Sequence, residues 1–346
     1  MTSTDTDTDL SLEFRHIAHA YGPVRALEEI SFTAPEGEIT CLLGASGCGK
    51  STLLGLAAGL LPVQHGSILI DGEVLADEGS SPPPEARPVG LVFQDGALFP
   101  HMTIAGNIAF GLPRGSAVES WLDQVGLTGL GDRYPHELSG GQQQRAALAR
   151  AMAPGPQVLL MDEPFASVDI VLRRSLRRDC RRLLRERGAT VVMVTHDPEE
   201  ALDIGDRIAV MEGGRIVQFG SPQELHDVPA TAAVGALFRG AQIVPATKAD
   251  AGLETPFGTW PAISVHGELP DAEHLQLLTY ADECDMYEDN SGLAVVDAKP
   301  LGTSTRVVLA NAQGEEITVL CRDEVLRERL YRVVPQEGSL RPFAAQ

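Results

Sequence analysis

Phosphate chemistry is written into residues 44–52, "GASGCGKST", which follow the apolar run "ITCLL" and fit G-x-x-x-x-G-K-[ST]. Gly44, Ala45, Ser46, Gly47, Cys48 and Gly49 form a loop whose glycines let successive backbone N–H groups turn inward around phosphate oxygens. The helix expected from Lys50 onward points its positive end at the same place. Lys50 has the reach for β- and γ-phosphates, Ser51 has the hydroxyl that suits Mg²⁺, and Thr52 follows beside them. Downstream, "QVLLMDEP" ends an apolar run in two acids. At a strand tip, Asp162 suits a water linked to Mg²⁺, and Glu163 suits a base that polarises the attacking water. Two acids after a strand can also be no more than a helix cap; next to a phosphate loop the catalytic reading is favoured.

A second anion-binding element lies between those two. In "LSGGQQQR", Ser139, Gly140, Gly141 and Gln142 open a helix that continues through "QRAALARAMA". Helix-opening N–H groups and a hydroxyl make an anion site, although Ser-Gly-Gly could also serve only as a cap. A phosphate loop alone leaves kinases, GTPases and motors open, and an ordinary kinase has no use for this second element.

The elements that must position these residues follow from hydrophobic patterning. "ITCLLG" (39–44), "VGLVFQ" (89–94), "QVLLMDEP" (157–164), "TVVMVTH" (190–196) and "RIAVMEGGRIVQFG" (207–220) read as strands. The first, third and fourth precede helix-like stretches, and runs apolar on both faces alternating with helices indicate a parallel α/β sheet. "GSSPPPEARP" (79–88) reads as a surface loop, and "RRSLRRDCRRLLRER" (173–187) as a helix with a solvated basic face. Beyond about residue 240 the texture changes to short alternating runs with turns, which predicts a separate small β domain over 241–346. Within it, "ADECDMYEDN" (281–290) reads as a solvated acidic loop; hard carboxylates suit a hard cation such as Fe³⁺ or Ca²⁺, but the spacing fits no defined cation loop.

Composition removes other classes. The chain has 346 residues and a formal net charge of −21, which argues against nucleic acid as a partner. No apolar run is long enough for a membrane helix, and the polar N-terminus, residues 1–10, reads as a disordered tail without a signal sequence. Cys41, Cys48, Cys180, Cys284 and Cys321 show no CxxC pair, which fits thiols used for packing in a reducing compartment.

Taken together, these motifs resemble the ATP-binding cassette (ABC) family of transporter ATPases over roughly residues 11–240. The resemblance implies an α/β fold: a P-loop NTPase (RecA-like) core, with a helical subdomain at about 95–150, followed by a small C-terminal all-β OB-like (TOBE-type) domain. It implies ATP and Mg²⁺ as ligands. It assigns Tyr21 to stacking on adenine, Gln94 to Mg²⁺, the attacking water and the membrane partner, Asp169 to a loop crossing a dimer interface, and His196 to sensing the γ-phosphate. The family's Ser-Ala-Leu-Asp is Ala166-Ser167-Val168-Asp169 here, and where relatives carry Arg-Pro-Glu in the β domain this chain has Tyr280-Ala281-Asp282. The partners implied are a second copy of the chain, clamping ATP between the Lys50 loop of one and the Ser139 helix of the other, and a separate permease fed by a solute-binding protein. The place implied is the cytoplasmic face of the inner membrane. "VFQDGALFPHMTIAGNIAFGL" is most similar to the ferric-iron importers among a group that also serves polyamines, sulfate and sugars. A soluble cassette ATPase acting on ribosomes or DNA is the competing class.

Overall fold

The structure, a computed structural model, describes residues 11–345 except Arg114, Ser167, Arg239 and Glu324, and not the side chains of Ile170, Val171 and Leu172. The N-terminal tail and Ser167 of the Asp169 loop therefore lie outside the described residues. The chain divides into two compact units, one ending at Gln223 and the next beginning at Glu224.

In the first unit, the strands Ile39–Leu43, Val158–Asp162 and Thr190–Thr195 are buried along almost their whole length. Strands apolar on both faces need cover on both, and helices supply it. They belong to a six-stranded sheet in the order Arg215–Gly220, Arg207–Glu212, Ile39–Leu43, Thr190–Thr195, Val158–Asp162, Val89–Val92. All neighbours run parallel except the first pair. The run at 207–220 is thus a hairpin, turned at Gly213 and Gly214, which both have positive φ.

A four-stranded antiparallel sheet, not separated by the patterning above, is built from Val24–Ala34, Leu12–Tyr21, His65–Ile70 and Glu73–Asp77 in that order. Its buried face (Leu12, Phe14, Ile17, Leu27 and Ile30) joins one core with Leu53 and Leu56 of the helix Lys50–Ala58 and with Leu42, Leu160 and Val192 of the parallel sheet. The phosphate-loop helix is therefore packed between two sheets. Arg87, in the proline-rich loop, is itself buried. Its guanidinium donates to the carbonyls of Leu56 and Ala57 at 2.7 and 2.9 Å and to that of Pro82 at 2.8 Å. A cation on the last carbonyls of a helix satisfies orphan acceptors and complements the dipole.

The segment after Val92 carries the short helices Ile104–Ala109 and Val118–Gln124 before the longer Gly140–Met152. Buried Asn107 holds its loop: Oδ1 accepts from Phe99 N, and Nδ2 donates to the carbonyls of Phe99, Met102 and Thr103. The basic run lies in the helix Ile170–Glu186, but its face is not simply solvated. Arg177 is buried, and Arg181 and Arg185 both pair with Asp206.

The second unit is built mainly of antiparallel strands. A five-stranded sheet runs Gly258–Trp260, Gly252–Thr255, Ala241–Ala249, His274–Tyr280, Arg341–Ala344, and a four-stranded one runs Glu316–Cys321, Thr305–Ala310, Cys284–Pro300, Leu330–Pro335. Trp260, Leu275, Leu277, Val307, Val319 and Val333 fill the core. The acidic stretch is a turn leading into the long strand Cys284–Pro300 rather than a loop, and its charges are answered from a distance: Glu283 by Arg341 and Glu288 by Arg329. Among the described residues, no group of three or more His, Cys, Asp or Glu is arranged to hold a metal ion. Tyr280, in the Tyr-Ala-Asp stretch, is buried, stacks on His226 at 4.5 Å and lies under Arg341. Cys41, Cys48, Cys180 and Cys284 are buried and unpaired, and Cys321 is half-buried and unpaired. Among the described residues, no helix is long and apolar enough to cross a membrane.

Replacing Arg87 by Ala should remove the cation from the end of the phosphate-loop helix and leave the Ala57 carbonyl without its donor, while the Leu56 carbonyl keeps the Gly59 N–H at 3.3 Å. We expect a loss of about 2–3 kcal/mol in denaturant unfolding. An unchanged midpoint would show that the cap contributes nothing.

Candidate functional site

Four loops leave the carboxyl ends of adjacent strands in the parallel sheet: Gly44 after Leu43, His196 after Thr195, Glu163 after Asp162 and Gln94 after Val92. Leu43 is level with Thr195, and Asp162 with Val194. Open α/β sheets bind ligands at this edge, because the loops there can converge while the strands stay buried.

The phosphate loop is set by close approach. A Cβ at Gly44 would fall well inside van der Waals contact with the Met211 carbonyl and 2.8 Å from Cys48 Sγ. Gly49 has φ +104°, and a Cβ there would sit 2.5 Å from the Ala26 carbonyl. No side chain caps the helix opening at Gly49, so its first N–H groups point into the loop without a side-chain partner. Lys50 is buried, and its ammonium donates to the carbonyls of Gly44 at 2.7 Å and Ala45 at 2.9 Å. The amine thus lies inside the curl of the loop that was expected to hold phosphate. Ser51 Oγ donates to Asp162 Oδ1 at 3.4 Å, which places a hydroxyl and a carboxylate side by side. That oxygen pair, with phosphate oxygens and water to complete it, suits Mg²⁺ better than an all-protein cage would. Burial and the neighbouring Glu163 charge push the Asp162 carboxyl above the usual aspartate range, against the pull of Ser51 and Lys50.

Glu163 has φ +42°, a conformation that side chains other than Gly adopt at a cost. Its N–H donates to the Val194 carbonyl at 3.0 Å, anchoring the strand end to its neighbour. Its Oε1 lies 2.9 Å from His196 Nδ1. His196 is 55% exposed, so the pair faces solvent rather than the core.

The structure therefore brings together Lys50, Ser51, Asp162, Glu163 and His196. Tyr21 joins them at the margin: half exposed, its hydroxyl is 3.4 Å from Thr52 Oγ1. Gln94 is exposed in a turn and, among the described residues, makes no hydrogen bond to Asp162, Glu163 or His196. Ser139 caps its own helix: its Oγ accepts from Gln142 N, and Gln142 Oε1 accepts from Ser139 N at 2.9 Å. That helix opening, with Gly140 and Gly141, makes no hydrogen bond to the Lys50 loop. Asp169 is exposed, with its carbonyl bonded by Arg173 N at 2.9 Å. Sequence reading missed Arg177, Thr195 and Glu200, which surround the His196 turn. The acids at 197, 200 and 203, spaced for one helical face, were the available signal.

Comparison with known proteins bears on the family of the chain. The family described as ABC transporter matches residues 27–166. The chain is 46% identical over 249 residues to the Fe(3+) ions import ATP-binding protein FbpC of Pseudomonas fluorescens, covering 70% of each chain. It is 38% identical over 345 residues to the sulfate/thiosulfate import ATP-binding protein CysA 1 of Chromobacterium violaceum, covering 96% of this chain and 92% of that one. Among solved structures, cbiO1 of Clostridium perfringens, part of the ABC transporter complex cbiONQ, is similar with a TM-score of 0.58 and 29% identity, over 65% of this chain and 94% of that one.

The raised carboxyl of Asp162 makes its ionised form a burden on the folded protein. Asp162→Asn, which keeps an acceptor for Ser51, should raise the thermal midpoint of the nucleotide-free protein at pH 7. The gain should fade on acidification below about pH 4, where the aspartate is neutral both folded and unfolded. A pH-independent difference, or a lower midpoint at pH 7, would contradict the assigned cause.

Proposed function

The chain belongs to the ATP-binding cassette transporter family, whose members use ATP with Mg²⁺, and on that premise we propose that it is the ATPase subunit driving solute uptake through a separate membrane permease. The observation that carries this reading is the Glu163–His196 pair, 2.9 Å apart, standing beside the phosphate loop at one sheet edge.

In this mechanism Gly44 to Gly49 wrap the phosphates with backbone N–H groups, and Lys50 turns its ammonium from the loop carbonyls to the β- and γ-phosphates. Ser51, Asp162 and Gln94 would hold Mg²⁺, which would supply positive charge beside the phosphates. Glu163 accepts the proton of the attacking water. His196 fixes the Glu163 carboxylate and faces the terminal phosphate. Tyr21 stacks on adenine, with Thr52 beneath its hydroxyl. Ser139, Gly140, Gly141 and Gln142 form a helix opening, exposed at Ser139 and Gly140, that meets the nucleotide of a second copy, and Asp169 crosses the same seam. ATP then bridges two subunits, and hydrolysis releases them.

For the solute we favour ferric iron, on the strength of the importer relative that is 46% identical. Sulfate or thiosulfate is the second reading, because a relative named for that solute aligns across 96% of this chain, including the C-terminal unit. Polyamines and sugars remain the wider group. In each case the solute is chosen by the permease and a solute-binding protein. We assign residues 11–240 to the nucleotide-binding domain and 241–346 to an OB-like, TOBE-type domain, with the whole subunit peripheral on the cytoplasmic face of the inner membrane.

Glu163→Gln should keep ATP binding and lower turnover by about 10²- to 10⁴-fold, whereas Lys50→Ala should lose ATP binding itself. Full-rate hydrolysis by Glu163→Gln would reject the assigned base. For the solute, ATP turnover of the complex reconstituted with its permease and solute-binding protein should rise with Fe³⁺ and not with sulfate; the reverse result selects the second reading.

A further inference from the structure

We propose that Arg177 is a positioning residue that clamps the turn carrying His196 and couples it to the helix that starts beside Asp169. The inference rests on the ATPase reading above, in which His196 and Glu163 act on the terminal phosphate.

Arg177 lies in the helix Ile170–Glu186, and its side chain is only 6% exposed. Its guanidinium meets three acids on a different element. Nη2 donates to Asp197 Oδ2 at 2.5 Å, Nη1 lies 3.5 Å from Asp203 Oδ2, and Nε lies 3.9 Å from Glu200 Oε1. A planar fork can engage several carboxylates at fixed angles, which an ammonium on a flexible stem cannot.

The acids lie at and just beyond the His196 turn, and the residues flanking His196 are both tied into the same network. Asp197 Oδ1 accepts from Glu199 N at 3.0 Å and so caps the helix Pro198–Ile204. Asp197 N donates to Thr195 Oγ1 at 3.0 Å, and Thr195 Oγ1 donates to Glu200. His196 thus sits between two anchored residues, free only in its side chain, which reaches Glu163. At its other end the helix is tied to the Asp169 loop: Arg173 N bonds the Asp169 carbonyl at 2.9 Å, and Arg173 Nη2 bonds the Val168 carbonyl at 3.2 Å. Arg177 is one helical turn further on.

One contact in the clamp is not closed. Arg177 Nε and Glu200 Oε1 are both buried without a hydrogen-bond partner, and they face each other at 3.9 Å. An unpartnered atom on each of two buried polar groups is costly, and a shift of the turn by about 1 Å brings the two to bonding distance. The cluster thereby has a second, tighter arrangement available. A displacement of the Asp169 helix on pairing with a second copy is passed through Arg177 to His196 and Glu163 of the same chain.

The test uses the full-length chain and compares Arg177→Lys, Arg177→Met and Asp197→Asn with His196→Ala, reading kcat and KM for ATP, nucleotide binding and the thermal midpoint. Arg177→Lys keeps the charge and loses the fork. We expect its kcat to fall about tenfold to a hundredfold, with KM and ATP binding changed less than twofold, and the NMR signal of the His196 ring to move. Wild-type kcat in Arg177→Lys and Arg177→Met, with His196→Ala inactive, would overturn the clamp and leave the ATPase reading intact. A parallel loss of ATP binding and kcat would also overturn it, because a merely structural residue behaves so. Full turnover in His196→Ala would overturn the ATPase reading on which the clamp rests. Should neither Arg177 variant fold, Asp197→Asn must show the same kcat-only defect, and a wild-type kcat there rejects the clamp.

Discussion

The backbone has no room to spare where the central strand ends. The curl after Leu43 passes so close to the Met211 carbonyl that Gly44 leaves no space for a Cβ, and Gly49 closes against Ala26 in a conformation that favours glycine. Those two approaches tie the loop to the strand Arg207–Glu212 and to the antiparallel sheet at once. With the loop pinned there, the helix Lys50–Ala58 must run between the two sheets, and the core forms around it. The remaining loops of the site then emerge from the next strands along. The shape of this loop is therefore set jointly by close packing and by the glycines at 44 and 49 that permit it.

The polar groups are handled differently on the two sides of that cradle. Lys50 is buried, and carbonyls of its own loop solvate its ammonium in place of water. Glu163 and His196 are left at the solvent-facing rim, where a water or a second chain can approach. Arg177 and its acids form a third, interior group behind the rim. The Glu163–His196 pair lies at the surface, whereas Arg177, which holds a turn in place, lies beneath it. Low local dielectric strengthens the buried set, and solvent softens the exposed one.

Much of this was legible in the sequence where burial is total. The strands Ile39–Leu43, Val158–Asp162 and Thr190–Thr195 announce themselves because both faces are apolar, and each leads directly into a chemically distinctive loop. The antiparallel sheet was not legible: its leading strand is broken by register shifts between Phe14 and Ile17 and again near His19, which scramble the alternation. The buried state of Arg177 was hidden too. In a run of eight arginines it looks like its solvated neighbours, and its partners lie 20 or more residues further along the chain. The same held for the acidic stretch of the second unit, whose answering arginines, Arg329 and Arg341, are distant in sequence. Periodicity reports which face is dry. It does not report which charge meets which, because that depends on how remote segments are folded together.

The left-handed backbone at Glu163 has an evolutionary corollary. A glycine would sit there with less strain, by about 1 kcal/mol. Folding alone therefore disfavours the glutamate. On the ATPase reading proposed above, drift towards sturdier variants would erode this position early in a lineage that no longer needed hydrolysis. On that reading, the identity of residue 163 in a descendant is a cheap record of whether ATP is still hydrolysed.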